Sequence, residues 1–121
     1  MATILIADDA AFMRMKIATL IKGLGHQVVE ASDGVEAVAR YREQRPDAVL
    51  LDITMPNMDG LEALKEIMAG DPTARVAMVT AMGQKQVVME AIKTGAKDFV
   101  VKPFNADLIQ TALLRLVTPD R

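Results

Sequence analysis

Apolar and polar positions along the chain alternate between two rhythms, and the alternation repeats five times. Short continuous apolar runs occur at Thr3–Ala7, Gln27–Ala31, Ala48–Leu51, Arg75–Thr80 and Asp98–Val101. Runs of this length between turn signals predict strands buried on both faces. Between them lie segments with helical spacing, at Ala11–Leu24, Val35–Gln44, Leu61–Ala69, Lys85–Thr94 and Ala106–Val117. Gly23 and Gly25 are positioned to stop the first helix, and Gly95 the fourth, because glycine accepts the left-handed cap conformation. Pro46 and Pro72 stand just beyond the second and third helices, where proline blocks continuation. Ser32-Asp33-Gly34 and Met58-Asp59-Gly60 are turn and cap signals ahead of those same helices.

Five alternating strand–helix units predict an α/β fold with a doubly wound parallel sheet. Right-handed crossovers leave few topologies. The flavodoxin-like order 2-1-3-4-5 is one of them, and it is the order expected here. In such sheets the functional crevice lies at the carboxyl ends of the strands, near the switch between the first and third.

The chain has 121 residues, half of them apolar. That suits one domain, residues 1–121, with a core that needs no covalent staples. The absence of cysteine excludes disulfides, thiol catalysis and cysteine-based metal sites. No apolar run reaches the roughly 18 residues of a membrane span. The first residues lead directly into Thr3–Ala7 and two aspartates, unlike a signal peptide. We therefore expect a cytoplasmic protein with no membrane partner. The net charge of −2, with both signs mixed, gives no basic stripe for nucleic acid. The single histidine, His26, reads as a turn residue before a strand.

The strand ends carry the chemistry. The first ends in Asp8-Asp9, the third in Asp52, the fourth in Thr80-Ala81, and the fifth is followed by Lys102-Pro103. The topology brings three carboxylates, a hydroxyl and a lysine to one edge. Three carboxylates in one pocket repel one another, and a hard divalent cation with oxygen ligands relieves this. Magnesium suits such a set, since it binds through one or two carboxylates, water and phosphate oxygens. A carboxylate can act as a nucleophile and form an acyl phosphate. The metal, the Lys102 ammonium and the Thr80 hydroxyl could then each meet one equatorial oxygen of the transferred group. Any one of these residues has an ordinary explanation as a turn former, cap or strand residue. Asp52 is the hardest to explain so, because it follows the apolar run Ala48–Leu51 and should be partly desolvated. All five at one edge are hard to ascribe to coincidence.

These residues sit in segments that resemble the receiver domains of bacterial response regulators over nearly the whole chain. The segments are Ile4–Asp9, Val49–Gly60, Val79–Ala81 and Gly95–Phe104. Asp8–Arg14 and Thr80–Gln84 are most similar to stand-alone chemotaxis regulators of the CheY type. The resemblance implies that Asp52 is the phosphoacceptor. It implies Asp8, Asp9, Asp52 and the Thr54 backbone carbonyl around Mg2+, Thr80 as the switch hydroxyl and Lys102 as the phosphate-contacting lysine. The Lys102-Pro103 bond is expected to be cis. Phe99 matches the aromatic switch position, without the hydroxyl of the tyrosine that also occurs there. The implied partners are a histidine kinase or phosphotransfer protein as donor and an output protein such as the flagellar motor switch. A monomer is expected, not an enzyme in the sense of turning over a separate substrate.

On phosphorylation, Thr80 is expected to move toward the phosphoryl group and Phe99 to follow inward, changing the surface of the fourth helix, fifth strand and fifth helix. Met82 cannot orient a water by hydrogen bonding, so slow self-dephosphorylation is expected. On the first helix, Met13, Ile17, Leu20, Ile21 and Leu24 form one apolar stripe at core spacing. Phe12 and Met15 fall on another side and are either a partner-docking patch beside the acidic pocket or are covered by loops.

Three other readings compete. A haloacid-dehalogenase-type phosphatase would carry Asp-x-Asp on its first strand and a cap domain. A flavodoxin-like cofactor binder would need a phosphate-cradling loop where two acids stand. A degenerate receiver would lack some of the five residues. Within the family, a phosphorelay intermediate or the receiver of a DNA-binding regulator remains open. The chain stops soon after the fifth helix, and Thr118-Pro119-Asp120-Arg121 reads as a frayed natural end, so no output domain is expected.

Overall fold

The computed structural model describes residues 1–118, so most of the expected frayed terminus lies outside the described residues. The chain forms β1 (Thr3–Ala7), α1 (Ala11–Gly23), β2 (Gln27–Ala31), α2 (Gly34–Gln44), β3 (Ala48–Leu51), α3 (Gly60–Gly70), β4 (Val76–Thr80), α4 (Lys85–Thr94), β5 (Asp98–Val101) and α5 (Ala106–Val117). The five strands make one parallel sheet in the order β2-β1-β3-β4-β5.

Alternation along the central strands divides the core in two. Leu5, Ala7, Val49, Leu51, Val76 and Met78 face α2, α3 and α4. Ile4, Ile6, Ala48, Leu50, Ala77 and Val79 face α1 and α5. Each face of β1, β3 and β4 therefore meets a helix, which is why these strands read as unbroken apolar runs, whereas β2 and β5, expected to be buried on both faces, are sheet edges with exposed or half-buried positions. Among the described residues, no helix is long and apolar enough to cross a membrane.

The ends of the elements follow local chemistry, with small departures from expectation. α2 and α3 begin at Gly34 and Gly60, one residue earlier than expected. The cause is the cap. Asp33 and Asp59 accept hydrogen bonds from the N–H of Glu36 and Glu62, so the next residue is already helical. α3 runs one residue further, to Gly70, because the Asp71 N–H still bonds the Ile67 carbonyl. α1 ends at Gly23, not Leu24. Gly25, at φ 92°, donates to the Lys22 carbonyl, and His26 donates to Ile21. This left-handed closure requires Gly25, and Gly23 is simply the last helical residue. Leu24 consequently leaves the helical stripe and is exposed, while Ile17, Ala18 and Ile21 are buried. β4 begins at Val76, because Arg75 is the lead-in, its guanidinium donating to the Leu116 and Thr118 carbonyls. His26 has the ordinary role expected of it, with Nδ1 accepting from the Ala2 N–H.

Opposite the carboxyl ends of the strands, a latch joins α2 to the α3–β4 turn. Asp71 accepts from the Tyr41 hydroxyl at 2.7 Å, from Arg45 at 3.0 Å and from the Thr73 hydroxyl at 2.6 Å. The Thr73 and Tyr41 hydrogen bonds hold the Asp71 carboxyl below its ordinary pKa. Burial and the same carboxylate push Tyr41 up to about 12. Asp71→Ala should cost about 1–2 kcal/mol at neutral pH, as Tyr41 loses its partner. A lowered folded-state pKa gives stability that is present above the unfolded value and lost as pH falls through the folded one. The difference between wild type and variant in urea melts should therefore shrink as pH drops through the carboxylate range.

Candidate functional site

Apart from Tyr41, the buried polar side chains among the described residues are Asp8 (2 % exposed), Asp52 (7 %) and Thr80 (1 %). All three stand at the carboxyl edge of the sheet, after or at the ends of β1, β3 and β4. Their backbones continue the strand ladders. Asp8 N–H donates to Ala31, Asp52 N–H to Ala7, and Lys102 N–H to the Thr80 carbonyl. The register is thus carried past the last strand residues into the site.

Each buried carboxylate is fixed at both oxygens. Asp8 Oδ1 accepts from the Ala10 N–H at 2.9 Å, and its Oδ2 accepts from Lys102 Nζ at 2.6 Å. Asp52 Oδ1 accepts from the Ile53 N–H at 2.7 Å, and its Oδ2 accepts from the same Nζ at 3.0 Å. Burial pulls the Lys102 pKa down, but the hydrogen bonds and charges of Asp8 and Asp52 outweigh it, and the net shift is upward. The lysine is therefore a fixed cation here. The Lys102-Pro103 bond is cis, as the resemblance implied.

Asp9 is exposed at the rim. One carboxylate oxygen from each of Asp8, Asp9 and Asp52 falls within 4.8 Å of the others. An all-oxygen, anionic donor set of this kind fits a hard divalent cation such as magnesium. Thr54 lies two residues after Asp52, and its hydroxyl donates to the Met82 sulfur at 3.2 Å. The Thr80 hydroxyl accepts from the Met82 N–H at 3.3 Å, leaving its own proton to donate elsewhere. Phe99 is half-buried against the α4-side core, together with Met82 and Val87.

Phe12 and Met15 do not belong to this cluster. They are 71 % and 57 % exposed on α1, so no loop among the described residues covers them.

Some contributors were not singled out from the sequence. The turn after β3 is packed so closely that a Cβ on Gly60 would collide with the Asp52 carbonyl oxygen. Asn57, at φ 68°, donates from its side chain to the Asp33 carboxylate at 2.7 Å, tying that turn to the start of α2. The Met58-Asp59-Gly60 turn signal marked the place but not the contact. Arg14 donates to the Asp8 carbonyl at 2.7 Å and to Glu30 at 3.2 Å. No feature of the sequence distinguishes it from a surface arginine.

A parallel α/β sheet whose carboxyl edge carries a caged aspartate, a fixed lysine and a cluster of three carboxylates able to take a hard cation has the groups that aspartate-centred phosphoryl transfer requires. The comparisons with known proteins narrow that chemistry to a family. The model of the response regulator receiver domain matches residues 4–114. The chemotaxis protein CheY of Listeria monocytogenes is 58 % identical over 114 residues, covering 93 % of this chain and 96 % of that one. CheY of Bacillus subtilis is 55 % identical over 111 residues, covering 91 % and 92 %. Among solved structures, the CheX–CheY–BeF3–Mg2+ complex of Borrelia burgdorferi matches with a TM-score of 0.93 and 36 % identity, covering 97 % of this chain and 90 % of that one. The chain belongs to the response regulator receiver family, and the relatives named here are of the CheY type.

Gly60→Ala tests the packing under Asp52. Both the displaced carbonyl and the shifted turn lie in a tight core, where overpacking costs about 1–3 kcal/mol. A loss in that range is expected in chemical denaturation, and an unchanged midpoint would mean that the turn yields freely.

Proposed function

We propose that this chain, residues 1–121, is a single phospho-accepting receiver that works in the cytoplasm, in chemotaxis. The observation that carries this reading is the buried Asp52 carboxylate, held by its own backbone on one oxygen and by Lys102 on the other, beside Asp8 and Asp9. Asp52 Oδ2 attacks the phosphorus of a phosphohistidine or a small acyl phosphate. The oxygen–phosphorus bond forms as the bond to the leaving group breaks, and an acyl phosphate remains on Asp52.

Asp8, Asp9, Asp52 and the Thr54 carbonyl would hold Mg2+. When bound, the ion neutralises charge on the transferred group and on the carboxylates. The crystallised CheY relative with BeF3 and Mg2+ supports this choice of ion. Lys102 exchanges its contact with Asp52 Oδ2 for a phosphoryl oxygen while keeping Asp8. The Thr80 hydroxyl donates to another oxygen. Phe99, already half-buried, then moves further in, and the α4–β5–α5 surface changes for the output partner. Exposed Met89, Ile92, Val101 and Leu108 on these elements give that surface apolar contact area. Met82, held by Thr54, offers no group to orient an attacking water, so the phosphoryl group is long-lived. The protein is a switch that modifies itself and turns over no separate substrate.

The decisive measurement is intact mass after incubation with acetyl phosphate, with magnesium or with EDTA. Wild type should gain one phosphoryl group with magnesium only, and Asp52→Asn none. A folded wild-type protein that gains nothing would leave a module that binds partners without phosphorylation.

Donor docking is a separate expectation. Phe12 and Met15 form an exposed apolar pair on α1, close to the loop that carries Asp8 and Asp9. Phe12→Ala should slow transfer from the cognate kinase about five- to tenfold. Phosphorylation by acetyl phosphate should not change, and equal slowing of both reactions would place Phe12 in the pocket chemistry or the fold instead.

A further inference from the structure

Arg14 stands on the second turn of α1, outside the pocket, with four-fifths of its side chain buried. Its Nη1 donates to the backbone carbonyl of Asp8 at 2.7 Å. Its Nε donates to Glu30 on β2 at 3.2 Å. One rigid guanidinium thus spans α1, the β1–α1 turn and β2. A planar fork with fixed donor directions does this in a way a lysine cannot.

The bond to Asp8 has a specific geometric meaning. The Asp8 carbonyl belongs to the peptide plane that leads into Asp9. The Asp8 N–H is already bound to Ala31, and both carboxylate oxygens of Asp8 are taken by Ala10 and Lys102. The remaining freedom at this point is rotation of the Asp8–Asp9 peptide, and Arg14 removes it. Asp9 is exposed, so its direction relies on the backbone that carries it.

Charge alone argues the other way. A guanidinium beside Asp8, even one paired with Glu30, adds no attraction for a dication. Its presence at this position is therefore better explained by geometry.

We propose that Arg14 is a positioning residue for the divalent ion. It fixes the Asp8–Asp9 peptide so that both carboxylates face one metal. The proposal rests on the reading of the pocket as a magnesium site. Residues that orient metal ligands are commonly worth ten- to a hundredfold in affinity.

Calorimetric titration of Mg2+ into wild type, Arg14→Ala and Arg14→Lys tests it, with thermal melts in EDTA to establish folding. The expected dissociation constant rises about tenfold in Arg14→Ala. It rises about threefold in Arg14→Lys, which keeps the charge but reaches only one of the two acceptors. At saturating magnesium, phosphorylation by acetyl phosphate should return to within about twofold of wild type in both, the mark of an effect on metal binding alone. Equal or tighter binding by folded Arg14→Ala would make the residue an electrostatic neighbour only and overturn the proposal. A rate that stays low at saturating magnesium overturns it too. Should Arg14→Ala fail to fold, wild-type affinity in Arg14→Lys overturns it. No binding by wild type would overturn the magnesium reading itself, together with this inference.

Discussion

Two buried carboxylates at one sheet edge need a cation, and Lys102 supplies it. The penalty for burying an unpaired carboxylate is several kcal/mol, comparable with the whole stability of a small domain. Asp8 and Asp52 escape it because one ammonium lies within hydrogen-bonding distance of both. That requirement fixes the relation of β5 to β1 and β3, although β4 lies between β5 and β3. It also leaves the pocket incompletely neutralised, with three carboxylates around a single ammonium. That surplus negative charge suits a divalent ion.

The rest of the architecture holds this edge in place. Apolar residues on both faces of β1, β3 and β4 leave those strands little freedom to slide, since a one-residue slip would exchange the two cores. The cap aspartates of α2 and α3 start their helices at points that let the β3–α3 turn fold tightly over Asp52. The latch at Asp71 secures the opposite end of the same helices. The packing constraints are therefore concentrated around Asp52. The exposed and half-buried apolar residues Met89, Ile92, Phe99 and Val101 lie on α4 and β5.

The sequence made the strands and the pocket legible for one reason. A strand buried on both faces must be continuously apolar, so a charge at its end is conspicuous. Asp52 after Ala48–Leu51 and Asp8 after Thr3–Ala7 stand out on that ground. Helix ends were legible to within one residue, since a capping side chain can be recognised while the last hydrogen bond, as at Gly70, cannot. Leu24 misled because periodicity does not report where a helix stops. Phe12 and Met15 were undecided because exposure depends on loops whose paths have no pattern. Arg14 was invisible as a positioning group, since its partners are a backbone carbonyl and a glutamate 16 residues away. Unlike a helix cap, such a contact has no fixed sequence spacing by which to recognise it.

The order of the charges along the chain has a consequence for how the molecule is made. Ribosomes deliver Asp8 first, Asp52 next and Lys102 near the end, 94 residues after Asp8. Domains fold as units during or after synthesis. A nascent chain that ends before β5 can pair its first strands, but closing their carboxyl edge would bury two anions with no counter-charge. The counter-charge for that edge therefore arrives only with the residue after β5, and α5, which supplies Ile109, Ala112, Leu113 and Leu116 to the core, follows it.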